Sequence, residues 1–254
     1  MEPEIREGVY MYCIIGSGQP QSFGTLGIGG RGDELFSVCG DGLSAVVSRS
    51  PIQKFKMSRD NLLAHERAIE EVMKTHNVLP IRFATVAESE EKVRKILLKE
   101  KERFTSLLRE MEGRKELGLK AVFKSEQIYA QIAAQEDIKR TRDRLASLPA
   151  DKIYFQKMEL GRTVEKALER AREQHRADIM GVLTPLVLEV KTTKPYGEMM
   201  ILNAAFLIAC EREEEFDQAV RALDERFGAL ISWHYTGTLP PFNFVSLTIN
   251  TEEL

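Results

Sequence analysis

The chain has 254 residues, 43% hydrophobic and 30% charged, enough apolar material for one large core or two ordinary ones. Its net charge of −3 and pI near 6.0 give no basic excess, so neither nucleic acid nor an anionic membrane surface is expected as a partner. The longest apolar stretch, Met199 to Cys210, is interrupted by Asn203; a spanning helix needs about 20 residues, so this stretch reads as a buried strand.

In chain order, the acidic start Met1-Glu2-Pro3-Glu4 argues against a signal peptide, and a soluble, cytoplasmic protein is expected. Val9 to Ile15 reads as a strand, followed by a glycine-rich loop from Gly16 to Gly32. Leu35 to Cys39 and Leu43 to Ser48 form a predicted hairpin around Gly40-Asp41-Gly42. Ser58-Arg59-Asp60-Asn61 offers N-caps for a helix from about Asn61 to Thr75. Val78 to Val86 reads as a buried strand, and a long amphipathic helix follows from Glu88 to Glu112, with Gly113 as its C-cap. Glu116 to Phe123 is expected to close this first module. Two charged helices come next, Ser125 to Leu148, stopped by Pro149, and one from Arg162 that Pro185 should kink or end. The last third reads as strand Met199 to Ala209, helix Arg212 to Phe227 ended by Gly228, strand Leu230 to Thr236, and an extended stretch from Phe242 to Ile249. The expected fold is α+β: two ferredoxin-like α+β modules joined by a helical connector, divided into residues 1–124 and 125–254.

Arg82 stands inside the apolar run Val78 to Val86, where a buried guanidinium needs an acid. Glu66, on the preceding helix, is the expected partner, forming a structural ion pair between helix and sheet. On that reading Arg82→Met is tolerated better than Arg82→Ala. Gly27-Ile28-Gly29-Gly30-Arg31-Gly32 matches a dinucleotide fingerprint by letter, but it leads into a strand rather than a helix, so it reads as a mobile loop. The four histidines never approach ligand spacing, and Cys13, Cys39 and Cys210 lie far apart in apolar segments, as reduced core thiols would. No metal and no cofactor are expected, and no serine, cysteine or carboxylate pair forms a catalytic set, so binding is favoured over catalysis. Trp233 and Tyr235 share one strand face, either core or contact surface, and Pro240-Pro241-Phe242-Asn243-Phe244 sets aromatics on a stiff segment. Trp233, Tyr235, Phe242 and Phe244 are the candidate partner contacts. Two other classes are weighed: a small-molecule-binding regulatory protein with a pocket between its sheets, and a haem or oxygenase enzyme using His65 or His234 as axial ligand.

Several islands occur in order: Tyr10-Met11-Tyr12-Cys13-Ile14-Ile15, Leu43-Ser44-Ala45-Val46-Val47-Ser48, Leu62-Leu63-Ala64-His65-Glu66, Leu79-Pro80-Ile81-Arg82-Phe83-Ala84-Thr85-Val86, Glu116-Leu117-Gly118-Leu119-Lys120 and Leu202-Asn203-Ala204-Ala205-Phe206-Leu207. Together they resemble the gas vesicle protein F/L family over nearly the whole chain. The His-Glu helix followed by the Leu-Pro-x-Arg-Phe strand is the most specific part. The chain departs from the pattern at Ala84, where a glycine is frequent, and at Thr238-Leu239, where Pro-Trp often precedes the double proline. The resemblance implies a non-enzymatic minor component needed to assemble gas vesicles, with the hydrophobic major shell protein and other gas vesicle proteins as its partners.

Overall fold

The computed structural model describes residues 6–146, 153–245, 247 and 249. Contacts divide these into two compact units, one formed by 1–116 with 238–254 and the other by 117–237. The expected boundary after residue 124 is thereby corrected: the chain changes unit within one strand on the way out and near the end of another on the way back.

In the first unit, β1 (Glu7–Ile15), β2 (Leu35–Gly40), β3 (Leu43–Pro51) and β4 (Val78–Pro80) form a sheet ordered β2-β3-β1-β4, and the short β5 (Val86–Ala87) also pairs with β1. The β2–β3 hairpin turns at Asp41 and Gly42, both with positive φ (47° and 83°), as a two-residue type I′ turn requires. From Val9 to Ile15 every residue of β1 is buried, because the sheet is covered on both faces. The register of β1 on β3 slips between Met11 and Cys13. This bulge resets the alternation, so Tyr10, Tyr12, Cys13 and Ile15 all join the cluster that receives α1 (Arg59–Met73). Helix α1 starts at Ser58, whose hydroxyl accepts the Asn61 N–H at 3.3 Å. Its buried positions His65, Ala68, Ile69 and Val72 follow the three-and-four spacing of one helical face. The expected single helix from 88 to 112 is two: α2 (Glu90–Lys99) and α3 (Lys101–Met111), broken at Glu100 (φ −100°, ψ 12°).

The second unit contains the sheet β7-β8-β6-β9, built from β6 (Arg114–Phe123), β7 (Glu189–Thr192), β8 (Met200–Ala209) and β9 (Ile231–Leu239). Strand β6 was expected to close the first module; it opens this one instead, as an inner strand between β8 and β9. The helices are α4 (Ser125–Ala133), α5 (Glu136–Ala146), the 31-residue α6 (Ile153–Leu183) and α7 (Glu213–Phe227). Strand, helices, two strands, helix, strand is the ferredoxin-like βαββαβ sequence, with α4 to α6 as its first crossover. Helix α6 gives way to a short 3-10 turn at Thr184–Leu186, where Pro185 lacks the amide hydrogen to continue it. The expected stop at Pro149 lies outside the described residues. Among the described residues no helix is long and apolar enough to cross a membrane. Of the three cysteines, Cys13 is buried and Cys39 half-buried, whereas Cys210 is exposed, against the expectation of a core thiol.

Candidate functional site

The polar centre of the first unit is His65, on the sheet-facing side of α1 and 3% exposed. Its Nε2 lies 3.1 Å from the Ile81 carbonyl oxygen. A carbonyl only accepts, so Nε2 carries the proton and Nδ1 accepts from the Tyr10 hydroxyl at 3.1 Å. The Tyr10 oxygen in turn accepts the Ala84 N–H at 2.8 Å. Tyr12, two residues on and so on the same strand face, shares a 2.9 Å bond with the Ser48 hydroxyl and accepts the Ile28 N–H at 2.7 Å. Ile28 is itself 2% exposed, so the glycine-rich run expected to be a mobile loop is pinned into the core at its centre. Burial holds His65 down to about 4, against the opposing pull of the Ile81 carbonyl, and pushes both tyrosines up. The network is neutral and internally satisfied. It joins helix, strand and turn, and both imidazole nitrogens are occupied, which removes His65 as an axial ligand. His234 is exposed on β9.

The expected Arg82–Glu66 ion pair is not formed. Strand β4 ends at Pro80, and after the Ile81 bridge the chain turns outward at residues 82–84, with Ala84 at φ 66°. Arg82 is therefore exposed, and among the described residues no ion pair joins it to Glu66. Glu66 is half-buried on α1, its carboxyl pushed up first by burial and then by Glu70. The buried acid of this unit is Glu116, 2% exposed. Its carboxylate accepts the backbone N–H of Asn243 at 3.0 Å and the Asn243 side-chain amide.

That contact fixes the C-terminal segment, which was expected to be extended. Phe242 to Phe244 form a turn, with the Val245 N–H on the Pro241 carbonyl at 2.8 Å. Val245 and Leu247 are buried, and Leu247 bridges to Ile81; the remainder of the expected stretch is only partly within the described residues. Phe242 is 38% exposed, with its ring 6.0 Å from that of His65, and Phe244 is half-buried. The other two expected contacts lie in the second unit. Trp233 and Tyr235 are half-buried against its core, because period two puts them on the same strand face as Ile231. Tyr235 donates its hydroxyl to Asp217. Of the four aromatics, two therefore pack inward in the second unit and two lie on the C-terminal segment of the first.

Cavities lie in both units. In the first unit, one of about 570 Å3 lies by the β2–β3 turn, the end of α1 and α3. At its mouth Lys101 and Asp41 neutralise each other across 2.6 Å. In the second unit, a groove of about 400 Å3 runs between α4 and α6. Sequence reasoning missed the Tyr10 and Tyr12 hydroxyls, Glu116, and this groove. A Tyr-x-Tyr pair in an otherwise apolar strand was the available signal for the first two; Glu116 and the groove depend on which elements meet.

Comparisons with known proteins agree with this architecture. The model of the family described as gas vesicle synthesis protein GvpL/GvpF matches residues 8–246. Gas vesicle protein F of Nostoc sp. is 28% identical over 247 residues, covering 95% of this chain and 99% of that protein. The crystal structure of gas vesicle protein GvpF from Anabaena sp. superposes with a TM-score of 0.79 at 27% identity, covering 96% of this chain and 100% of that one. The corresponding structure from Microcystis aeruginosa gives a TM-score of 0.74 at 27% identity, over 94% and 99%.

Proposed function

Since the chain belongs to the GvpL/GvpF family of gas vesicle synthesis proteins, we propose that it is a non-enzymatic assembly component that holds the hydrophobic shell protein before and during vesicle growth. It would act in the cytoplasm, at the gas vesicle, alongside other gas vesicle proteins. The observation that supports this reading is how the polar chemistry is spent. His65, Tyr10, Tyr12 and Glu116 are buried and hydrogen-bonded to groups of this chain, which serves rigidity rather than bond chemistry. Large apolar side chains, by contrast, stand at the surface, among them Tyr154, Met158, Tyr196 and Phe242. Exposed aromatics on ordered backbone are suited to covering another polypeptide's apolar surface. A shell subunit outside its wall needs such cover, because bare apolar surface and open strand edges aggregate. Of the four expected contacts, Phe242 and its neighbour Phe244 are retained here; Trp233 and Tyr235 contribute to packing.

The purified chain mixed with purified shell subunit should give a stable complex at micromolar concentration by co-purification, and should keep the subunit in solution. Free sedimentation of both proteins at that concentration would reject the reading.

A further inference from the structure

We propose that the groove along α6 receives an amphipathic helix of the partner polypeptide, about four turns long, whose apolar face is flanked by lysine or arginine. This rests on the assembly reading above and names the kind of segment that is held.

The argument starts from periodicity. On α6, Tyr154, Met158, Gly161, Glu165, Leu168 and Arg172 recur at alternating steps of four and three, which places them in one line along the helix. Leu168 and its neighbour Val164 floor the groove, with Tyr129 of α4 across from them. Beyond the groove, the line continues as exposed apolar surface, with Tyr154 69% and Met158 45% accessible. From Tyr154 to Leu168 it spans about 21 Å, the length of a four-turn helix.

Gly161 sits in the middle of this line. Among the described residues a Cβ there would meet no atom within 4 Å, so none of them calls for a glycine. In a helix interior glycine is about 1 kcal/mol less favourable than alanine. Its use is explained if another backbone comes close at that point, since the separation of packed helices is set by the side chains at the crossing. Charge then selects the occupant. Glu165, Glu169 and Glu198 border the groove, against one cation, Arg172, which is already 3.6 Å from Glu169. The surplus is acidic, so basic flanks are favoured and acidic ones repelled.

The test uses the full chain and a fluorescent helical peptide of about 18 residues, with a Leu/Ala face and Lys flanks, compared with the same peptide carrying Glu flanks. Anisotropy should give saturable binding of the Lys peptide and at least about tenfold weaker binding of the Glu peptide. Gly161→Leu should weaken the Lys peptide by a similar factor without lowering the melting temperature, since leucine is the better helix former. The double variant Glu165→Lys, Glu169→Lys should prefer the Glu peptide. Equal binding of both peptides, or unchanged binding by Gly161→Leu, overturns the proposal, as does self-association of the chain that Gly161→Leu abolishes. If the wild-type chain and Gly161→Leu hold the shell subunit equally, the groove is wrong and the assembly reading stands. If the wild-type chain ignores the shell subunit but keeps its Lys-peptide preference, the reverse holds.

Discussion

At the scale of single residues, burial decides between the two polar candidates of α1 and β4. His65 can satisfy both nitrogens from fixed neighbours, so it goes inside as a neutral ring. Arg82 has five donors that, among the described residues, no acid meets in an ion pair, and the chain turns it out. The consequence for pH has a definite sign. The folded pKa of His65 is about 4, below its ordinary value of 6.5, so the unfolded state binds the extra proton. Its stabilising contribution is complete above pH 6.5 and is lost as pH falls toward 4, with a limit on the order of 3 kcal/mol. Urea unfolding at pH 7.5 and pH 5 should show this loss in the wild type. His65→Gln should flatten the difference, leaving only the share due to carboxylates. Arg82 gives the opposite expectation: Arg82→Met and Arg82→Ala should both stay within about 0.5 kcal/mol of wild type, as exposed substitutions do. A loss of several kcal/mol in Arg82→Ala alone would restore the buried ion pair.

At the scale of elements, the turn after β4 carries identifiable strain. Ala84 sits at φ 66°, held there by its N–H bond to the Tyr10 hydroxyl. A left-handed conformation costs a non-glycine residue roughly 1 kcal/mol. Ala84→Gly should therefore stabilise the fold by up to about that amount, less what glycine adds to the entropy of the unfolded chain. Ala84→Val should destabilise it, because a branched Cβ worsens the same contact. Thermal unfolding of the pair checks both signs.

At the scale of the whole molecule, the position of β6 matters most. It lies between β8 and β9, so removing it divides that sheet into β7-β8 and an isolated β9. A fragment beginning at residue 125 should fail to unfold cooperatively, whereas a fragment from Arg114 to Leu239 keeps all four strands and should show a sigmoidal transition by circular dichroism. Cooperative folding of the shorter fragment would mean that β6 is dispensable.

The residue pattern by itself determined the local elements: the Asp41-Gly42 hairpin turn, the Ser58 cap, the helices α1 and α7, the end of α6 at Pro185, and the α+β class with its ferredoxin-like order. These follow from neighbours a few positions apart, where propensity and periodicity act. It also carried the family resemblance. Only the tertiary structure decided that β6 belongs to the second sheet, that Glu116 is met by Asn243 127 positions away in the chain, and that His65 rather than Arg82 is the buried polar group. It also decided that Gly161 lies on an open groove. Those outcomes depend on which surfaces remain uncovered once every strand has found its neighbours, and strand pairing over long separations leaves no periodic trace in the chain.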